Sequence, residues 1–536
     1  MGFRIVVSDP IHPSGLELLK AQPDVEAVLT PDGTPLAELL AEADALIVRS
    51  ETKVTPGLLE GARRLVVIGR AGVGVDNIDL SEATRRGIAV VNAPTGNIIA
   101  AAEHTIALIF AVARRIPQAF EALKRGEWRR GEFTGIELRN KTLGLIGLGR
   151  VGTEVARRAV GLQMRVIACD PFVSHEYAGR LGVSLTDLET LLREADIISV
   201  HVPLNDQTRN LLDRRRLELV KPGAIVVNTA RGGVVDEAAL LVLLNAGRLG
   251  GVALDVFATE PPPADHPLLH HPRVVATPHL GASTVEAQAE VAREVVEEVL
   301  AVLRGRPARN AVNLPAIPAE VDRVIRPYFD VAAILGRLAI QLLSGQLVGV
   351  RLTYKGEVAR YDTAALTAVA LAALLEPVSA ERVTPVNARL VAERRGLRVV
   401  ETRELDAGEY PGLVIVELEA TGGNVRLGGT WMRNEPHIVL VNDFWVDVVP
   451  STPYYLFIDH HDRPGMIGAV GTITGRYDIN ISFMEVGRLE PRGRAMMVLG
   501  LDDPVPPHVL EEIRRVPHVY GARVVHLSPR PAADQT

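Results

Sequence analysis

Three side chains capable of chemistry stand at or just past the ends of apolar runs: Arg231 in NTARGG, Glu260 after LDVF and His279 in TPHLGAS. Such runs read as strands, and open α/β sheets bind ligands beyond the carboxyl ends of their strands. Taken singly, each has a bland alternative. Arg231 could pair with a surface carboxylate, Glu260 could sit in the proline-rich loop TEPPP, and His279 could be a capped loop histidine. Together they form a working set. Histidine is the side chain whose ordinary pKa lies closest to neutrality, so it suits removal of a hydroxyl proton. A neighbouring carboxylate fixes the ring tautomer and stabilises the imidazolium that forms, the role expected of Glu260. A guanidinium grips a substrate carboxylate at two points and polarises an adjacent carbonyl oxygen, which fits Arg231. The chemistry they support jointly is the loss of hydride from a 2-hydroxy acid as the histidine takes the hydroxyl proton.

Hydride needs an acceptor, and GLGRVG at residues 147–152 fits the pattern G-x-G-x-x-G. The glycine pattern alone is weak. Its context is stronger, because the run KTLGLIG leads into it, a helical stretch leaves it, and the next apolar run ends at Asp170. Gly147 is expected to allow the tight turn, Gly149 the approach of pyrophosphate, and Gly152 close contact between helix and strand. Asp170 would accept hydrogen bonds from ribose hydroxyls and repel a 2′-phosphate. No Arg or Lys follows in Pro171, Phe172 or Val173 to rescue one, so NAD is expected rather than NADP.

The elements that must position these residues alternate in type. RIVVSD, ALIVRS, RLVVIGRAG and IAVVNAP punctuate helical stretches in the first part of the chain. One long helical pattern then runs from Asn97 through EHTIALIFAVARRIPQAFEALKRG into a second alternating series: KTLGLIG, MRVIACD, ADIISVHVPL, GAIVVNTARGG, GGVALDVF and RVVATPHLG. An amphipathic pattern over residues 285–303 could carry the chain back to the first unit. Alternation of this kind implies two parallel sheets and a cleft between them. The stretch RGRPARNAVNLPAIPAE reads as a linker, after which residues 316–451 mix helical and strand patterns without a chemical motif. From Tyr454 the order is βαββαβ, the ferredoxin-like sequence of elements. The expected units are residues 1–97 with 283–315, residues 98–282, residues 316–451 and residues 452–536.

Composition narrows the setting. The chain has 536 residues and a net charge of -7 without acidic or basic blocks, which argues against a nucleic-acid partner. Cys169 is the single cysteine, so neither a disulfide framework nor a cysteine metal site is expected, and a reducing, cytoplasmic setting is natural. No metal is expected. The longest near-apolar stretch, Ala364 to Leu375, is far too short to span a membrane, so a soluble, unprocessed protein is expected.

In order and spacing, GLGRVG, NTARGG, LDVFATEPP and TPHLGAST resemble the motifs of D-isomer-specific 2-hydroxyacid dehydrogenases over essentially residues 1 to 315. The resemblance implies an α/β protein with two Rossmann-like or flavodoxin-like parallel-sheet domains, the second binding NAD. It gives Arg231, Glu260 and His279 the roles argued above. It also implies cofactor contacts at Arg150, Val151, Asp170, Thr229, Ala230 and Asp255. This chain departs from some relatives at Val73, Val202 and Cys169, where polar side-chain contacts would become backbone or apolar ones.

The first unit must recognise what lies beyond C2 of the substrate, and it offers Arg49, Ser50, Arg70 and Asn97 at its strand ends. Two arginines and a hydroxyl suit a phosphate better than a methyl or phenyl group. VRSETKVT and GRAGVGVDNI resemble the branch acting on 3-phosphoglycerate at the start of L-serine biosynthesis. GEWRRGEF resembles a segment whose arginine reaches a neighbouring subunit, so Arg130 is expected to act in trans. HHDRPG followed by DINIS is similar to the start of an ACT domain, which in that branch follows an α+β regulatory domain. This implies a homo-oligomer, expected to be a tetramer, with L-serine as effector at His460, Asp462 and Asn480. Asp462 stands where some relatives carry Asn. The competing readings are a glyoxylate or hydroxypyruvate reductase, and an NAD-sensing co-repressor-like binding protein.

Overall fold

The computed structural model describes residues 2–30, 34–306, 308–315 and 319–527. Parts of the linker and the end of the expected last unit, residues 307, 316–318 and 528–536, lie outside them. Short β-branched runs in the first part of the chain form a five-stranded parallel sheet in the order Val25–Leu29, Phe3–Val7, Ala45–Val48, Val67–Arg70 and Ala89–Asn92. Ala45, Leu46, Ile47 and Val48 are all fully buried, because helices cover both faces of such a sheet. The helix Val285–Leu303 returns to this sheet and lays Val295 and Val299 over Gly69, where a Cβ would collide with both valines.

The second parallel sheet has seven strands in the order Val274–Ala276, Leu249–Leu254, Ala224–Asn228, Ile197–Val200, Thr142–Ile146, Arg165–Cys169 and Val183–Leu185. Its order reverses beside Thr142–Ile146, the switch point at which doubly wound sheets open a crevice. The single long helix expected after Asn97 is two helices, Ile98–Ala113 and Ile116–Lys124. Arg115 adopts a left-handed conformation (φ 50°) between them, and Pro117 starts the second, where its missing N–H costs nothing. Helical periodicity carries across such a break because the apolar spacing continues on both sides of it.

A mixed six-stranded sheet follows, in which Arg398–Glu404 and Leu347–Gly356 are parallel and the remaining pairs antiparallel. The four-stranded antiparallel sheet at the end has the order Ile481–Arg488, Arg494–Leu501, Tyr454–His461 and Val519–His526, with helices Met466–Arg476 and Pro507–Arg514 on one face. Its other face presents Tyr455, Phe457, Met496, Val498 and Val525 to the core that also holds Leu338 and Leu342 of the helix Ala319–Leu342. The last two sheets therefore share one apolar core. Among the described residues no helix is long and apolar enough to cross a membrane, and no group of three or more His, Cys, Asp or Glu could hold a metal ion.

Candidate active site

Contacts between the two parallel units join their strand ends across a cleft. Arg231 follows the strand Ala224–Asn228, and its Nε donates to Asp76 of the first unit at 3.2 Å. The same guanidinium donates through Nη1 to the carbonyl of Ala230 at 2.7 Å, and a Cβ at Gly74 would lie 2.1 Å from its Nη2. A side chain at Gly74 would displace the guanidinium from this position. The surface-carboxylate pairing weighed for Arg231 is present, but the carboxylate belongs to the opposite wall of the cleft.

His279 and Glu260 are brought together: His279 Nδ1 lies 2.7 Å from Glu260 Oε2. Glu260 Oε1 accepts from the backbone N–H of Phe257 at 3.1 Å, which fixes the carboxylate. Burial raises the Glu260 carboxyl, but the hydrogen bonds from His279 and Phe257 and the charge of Arg231 outweigh it, so it titrates below its ordinary value. His279 itself has φ 54°, a left-handed backbone uncommon for a residue with a Cβ. Such a conformation persists where neighbours over-determine it.

Those neighbours centre on Asp255, expected as a cofactor contact. Its side chain is 1% exposed and accepts several hydrogen bonds from the protein. Oδ1 accepts from Thr277 Oγ1 at 2.6 Å, Leu280 N at 2.7 Å and His104 Nε2 at 3.1 Å, while Oδ2 accepts from Gly281 N at 2.9 Å. Its own carbonyl accepts the His279 N–H at 2.9 Å. The carboxylate thus organises the loop that carries His279. His104, Thr277 and Asp76 went unnoticed in the sequence; the one available signal was the polar pair His104 and Thr105 within a largely apolar helix.

The glycine turn has the geometry expected of a dinucleotide site. Gly147 has φ 96°, and a Cβ there would lie 2.6 Å from the carbonyl oxygen of His201. At Gly152 a Cβ would lie 2.3 Å from the Gly147 carbonyl oxygen, whereas at Gly149 it would meet nothing. Helix Arg150–Gly161 begins there with its N–H groups free for an anion. Asp170 accepts from Leu148 N at 2.8 Å and Phe172 N at 2.9 Å, which ties the carboxylate to the turn and leaves further lone pairs for hydroxyls. Arg150 Nη1 donates to Pro94 O at 3.3 Å, Val151 is half-buried, and Ala230 N donates to Asn228 Oδ1 at 3.1 Å. The Thr229 hydroxyl lies 2.7 Å from that of Thr105. The residues present fit a nicotinamide dinucleotide.

On the opposite wall, Arg70 is half-buried, and its buried Nε has no partner among the described residues. Burial and then the charges of Arg231 and Arg49 depress its pKa to about 10, against the pull of Asp76 and Asp9. Arg49 donates to Pro10 O at 3.2 Å, and Ser50 is exposed beside it. Asn97 opens the helix Ile98–Ala113 with a buried Oδ1 that no donor among the described residues reaches. Arg130 is exposed in the short turn Arg130–Phe133.

The three tail residues do not meet within one chain. His460 is buried near the end of its strand with Nε2 unpartnered, and Asp462 accepts from Arg492 N at 3.1 Å close by. Asn480 is exposed at the far end of the sheet, where Nδ2 donates to Asp502 at 2.6 Å. The pairing of Tyr454 with Leu501, and of Leu501 with Ile481, puts roughly 20 Å of strand between the two ends.

Comparison with known proteins agrees with this architecture. Residues 106–281 match the NAD binding domain of D-isomer specific 2-hydroxyacid dehydrogenases, 324–442 the intervening domain of D-3-phosphoglycerate dehydrogenases, and 454–518 the ACT domain. D-3-phosphoglycerate dehydrogenase of Archaeoglobus fulgidus is 44% identical over 530 residues, covering 98% of this chain and 100% of the relative. A crystal structure of a Thermus thermophilus protein superposes with TM-score 0.53 at 37% identity, covering 58% of this chain and 100% of that one. D-lactate dehydrogenase of Aquifex aeolicus, complexed with NAD and lactic acid, gives 0.52 at 31% identity over 58% of this chain and 100% of its own. The matched domains and the full-length similarity together mean that the chain belongs to the D-3-phosphoglycerate dehydrogenase family.

Proposed function

We propose that the cleft oxidises D-3-phosphoglycerate to 3-phosphohydroxypyruvate with NAD as cofactor, the first step of L-serine biosynthesis. The observation that carries this reading is the buried Arg70 Nε that no partner among the described residues reaches, on a guanidinium whose pKa burial first and then the charges of Arg231 and Arg49 depress to about 10. A substrate bearing both carboxylate and phosphate offsets those charges, and an unphosphorylated hydroxy acid offsets less of them. Arg231 exchanges Asp76 for the substrate carboxylate and polarises the oxygen at C2. Arg49, Ser50, Arg70 and Asn97 receive the phosphate end, and Arg130 of a neighbouring subunit completes the cleft. His279 takes the hydroxyl proton on Nε2, and Glu260, hydrogen-bonded to Nδ1, stabilises the imidazolium. Bound NAD supplies the hydride acceptor. The turn at Gly147, Gly149 and Gly152 receives its pyrophosphate together with Arg150 and Val151. Asp170 receives the ribose hydroxyls, and Thr229, Ala230 and Asp255 border the nicotinamide end.

The working units are residues 1–97 with 283–315 for substrate, 98–282 for NAD, 316–451 as regulator and 452–536 as the effector-binding ACT domain. L-serine binds between paired ACT domains, His460 and Asp462 coming from one copy and Asn480 from the other. The separation of these residues within one chain supports a shared site of that kind. The assembly is a cytoplasmic homotetramer.

The test is appearance of reduced cofactor when the intact chain meets D-3-phosphoglycerate and NAD, with the keto product trapped. Absence of turnover overturns the reading. Calorimetric titration with L-serine, with D-serine as control, tests the effector site, and absence of heat removes it.

A further inference from the structure

The helix Ile98–Ala113 packs beneath the second sheet, and toward that sheet it turns two adjacent polar side chains, His104 and Thr105. Thr105 donates to the carbonyl of Ala101 at 2.8 Å and meets the Thr229 hydroxyl, next to the Arg231 loop. His104 reaches the other loop. Its Nε2 lies 3.1 Å from Asp255 Oδ1 and 3.1 Å from Thr277 Oγ1. Burial raises the Asp255 carboxyl, but the hydrogen bonds from His104, Thr277 and Leu280 hold it below its ordinary value, so it is ionised and can only accept. Thr277 directs its own proton to that carboxylate. Nε2 of His104 must therefore carry a proton, a tautomer that follows from its two neighbours.

The donors assembled on Asp255 explain the backbone of His279. Leu280 and Gly281 are held by the two carboxylate oxygens and His279 by the Asp255 carbonyl, so three successive N–H groups hang from one residue. Gly281 packs close to both Asp255 and Ala101 of the same helix. Among the described residues, His104 is the donor to that carboxylate that lies outside residues 277–281, on the helix beneath the loop.

We propose that His104 is a positioning residue for the proton acceptor: by fixing the Asp255 carboxylate it holds residues 277–281 in the one arrangement that keeps His279 left-handed and its Nδ1 on Glu260. This rests on the reading of His279 as the base. The helix that begins at Asn97 thereby connects the substrate wall to the base.

The test compares His104→Leu, which cannot donate, with His104→Gln, which can. Hydrogen exchange is followed in protein free of substrate and cofactor, on a fragment spanning 277–284 and on a control fragment spanning 147–160. Loss of a hydrogen bond to a buried charge should speed exchange in the first fragment by about tenfold in the Leu variant and leave the control unchanged. Turnover should fall by about tenfold with the Michaelis constant for NAD within about twofold. The Gln variant should retain both properties. Unchanged exchange or normal turnover in the Leu variant, or a Gln variant that fails as the Leu variant does, overturns the proposal and leaves His104 a packing residue. Failure of the dehydrogenase reading shows separately, as lack of turnover in the unsubstituted chain.

Discussion

On the NAD-unit side of the cleft the polar groups satisfy one another. His279 meets Glu260, Glu260 meets Phe257 N, and Asp255 gathers Thr277, Leu280, Gly281 and His104. On the substrate-unit side Arg70 keeps a buried Nε and Asn97 a buried Oδ1 without partners among the described residues, and the charges of Arg231 and Arg49 bear on Arg70. The difference follows from the two tasks. A proton acceptor must be oriented before substrate arrives, since reorganisation during the reaction would raise the barrier. An unpartnered donor such as Arg70 Nε gains affinity for an anion, because the ligand supplies the charge that the protein withholds, whereas the Asn97 oxygen suits a donor such as a substrate hydroxyl.

Substitution at the finished wall should have the largest effect. His279→Ala should lower turnover by roughly 10² to 10⁴ while quenching of protein fluorescence by reduced cofactor is retained. At the unfinished wall, Arg70→Ala should act on affinity. A charge-assisted contact of about 1.5–3 kcal/mol corresponds to a rise in the Michaelis constant for 3-phosphoglycerate of roughly 10- to 150-fold, with little change for NAD. Steady-state kinetics of the two variants should therefore separate turnover from affinity. If Arg70→Ala lowered turnover and left the Michaelis constant alone, the division of labour between the walls would be wrong.

Asp170 lies outside both walls and should have a smaller effect. NAD should be preferred over NADP by at least about tenfold, on the order of 1.4 kcal/mol, and Asp170→Ala should narrow that ratio of kcat/KM. Equal use of both cofactors by the unsubstituted chain would remove Asp170 from the reading. The smallest expected effect is on stability. The folded-state pKa of Asp255 is depressed from 3.8, so its contribution is fully present above that value and is lost as pH falls through the lowered one. Thermal unfolding followed down to acid pH should show Asp255→Asn less stable near neutrality, with a gap to the unsubstituted chain that closes on acidification. A gap independent of pH would mean that the carboxylate's charge is not what holds the loop.

Much of the cleft was legible in the sequence because its parts obey local rules. The glycine turn needs its glycines for steric reasons, Arg231, Glu260 and His279 fall at strand ends, and the βαββαβ order of the tail is visible in the alternation of patterns. What was missed depends on long-range geometry. Val25–Leu29 is an edge strand without a fully buried residue, and Val183–Leu185 has only three residues, so neither gave a clear period. The contact of His104 with Asp255 spans 151 residues, and no local pattern marks it. Asp255 could be placed at a strand end, but its role in holding the His279 loop depended on donors from two separate segments, the helix at His104 and residues 277–281. The separation of Asn480 from His460 follows from antiparallel pairing, which motif matching does not show.

The central claim is that the incomplete wall is built for a phosphate. It is tested most directly by the ratio of kcat/KM for D-3-phosphoglycerate to that for unphosphorylated D-glycerate, measured in the unsubstituted chain and in Arg49→Ala and Arg70→Ala. One retained charge-assisted contact predicts a ratio of at least about tenfold in the unsubstituted chain and its collapse toward unity in the variants. Equal kcat/KM for the two substrates in the unsubstituted chain would contradict it.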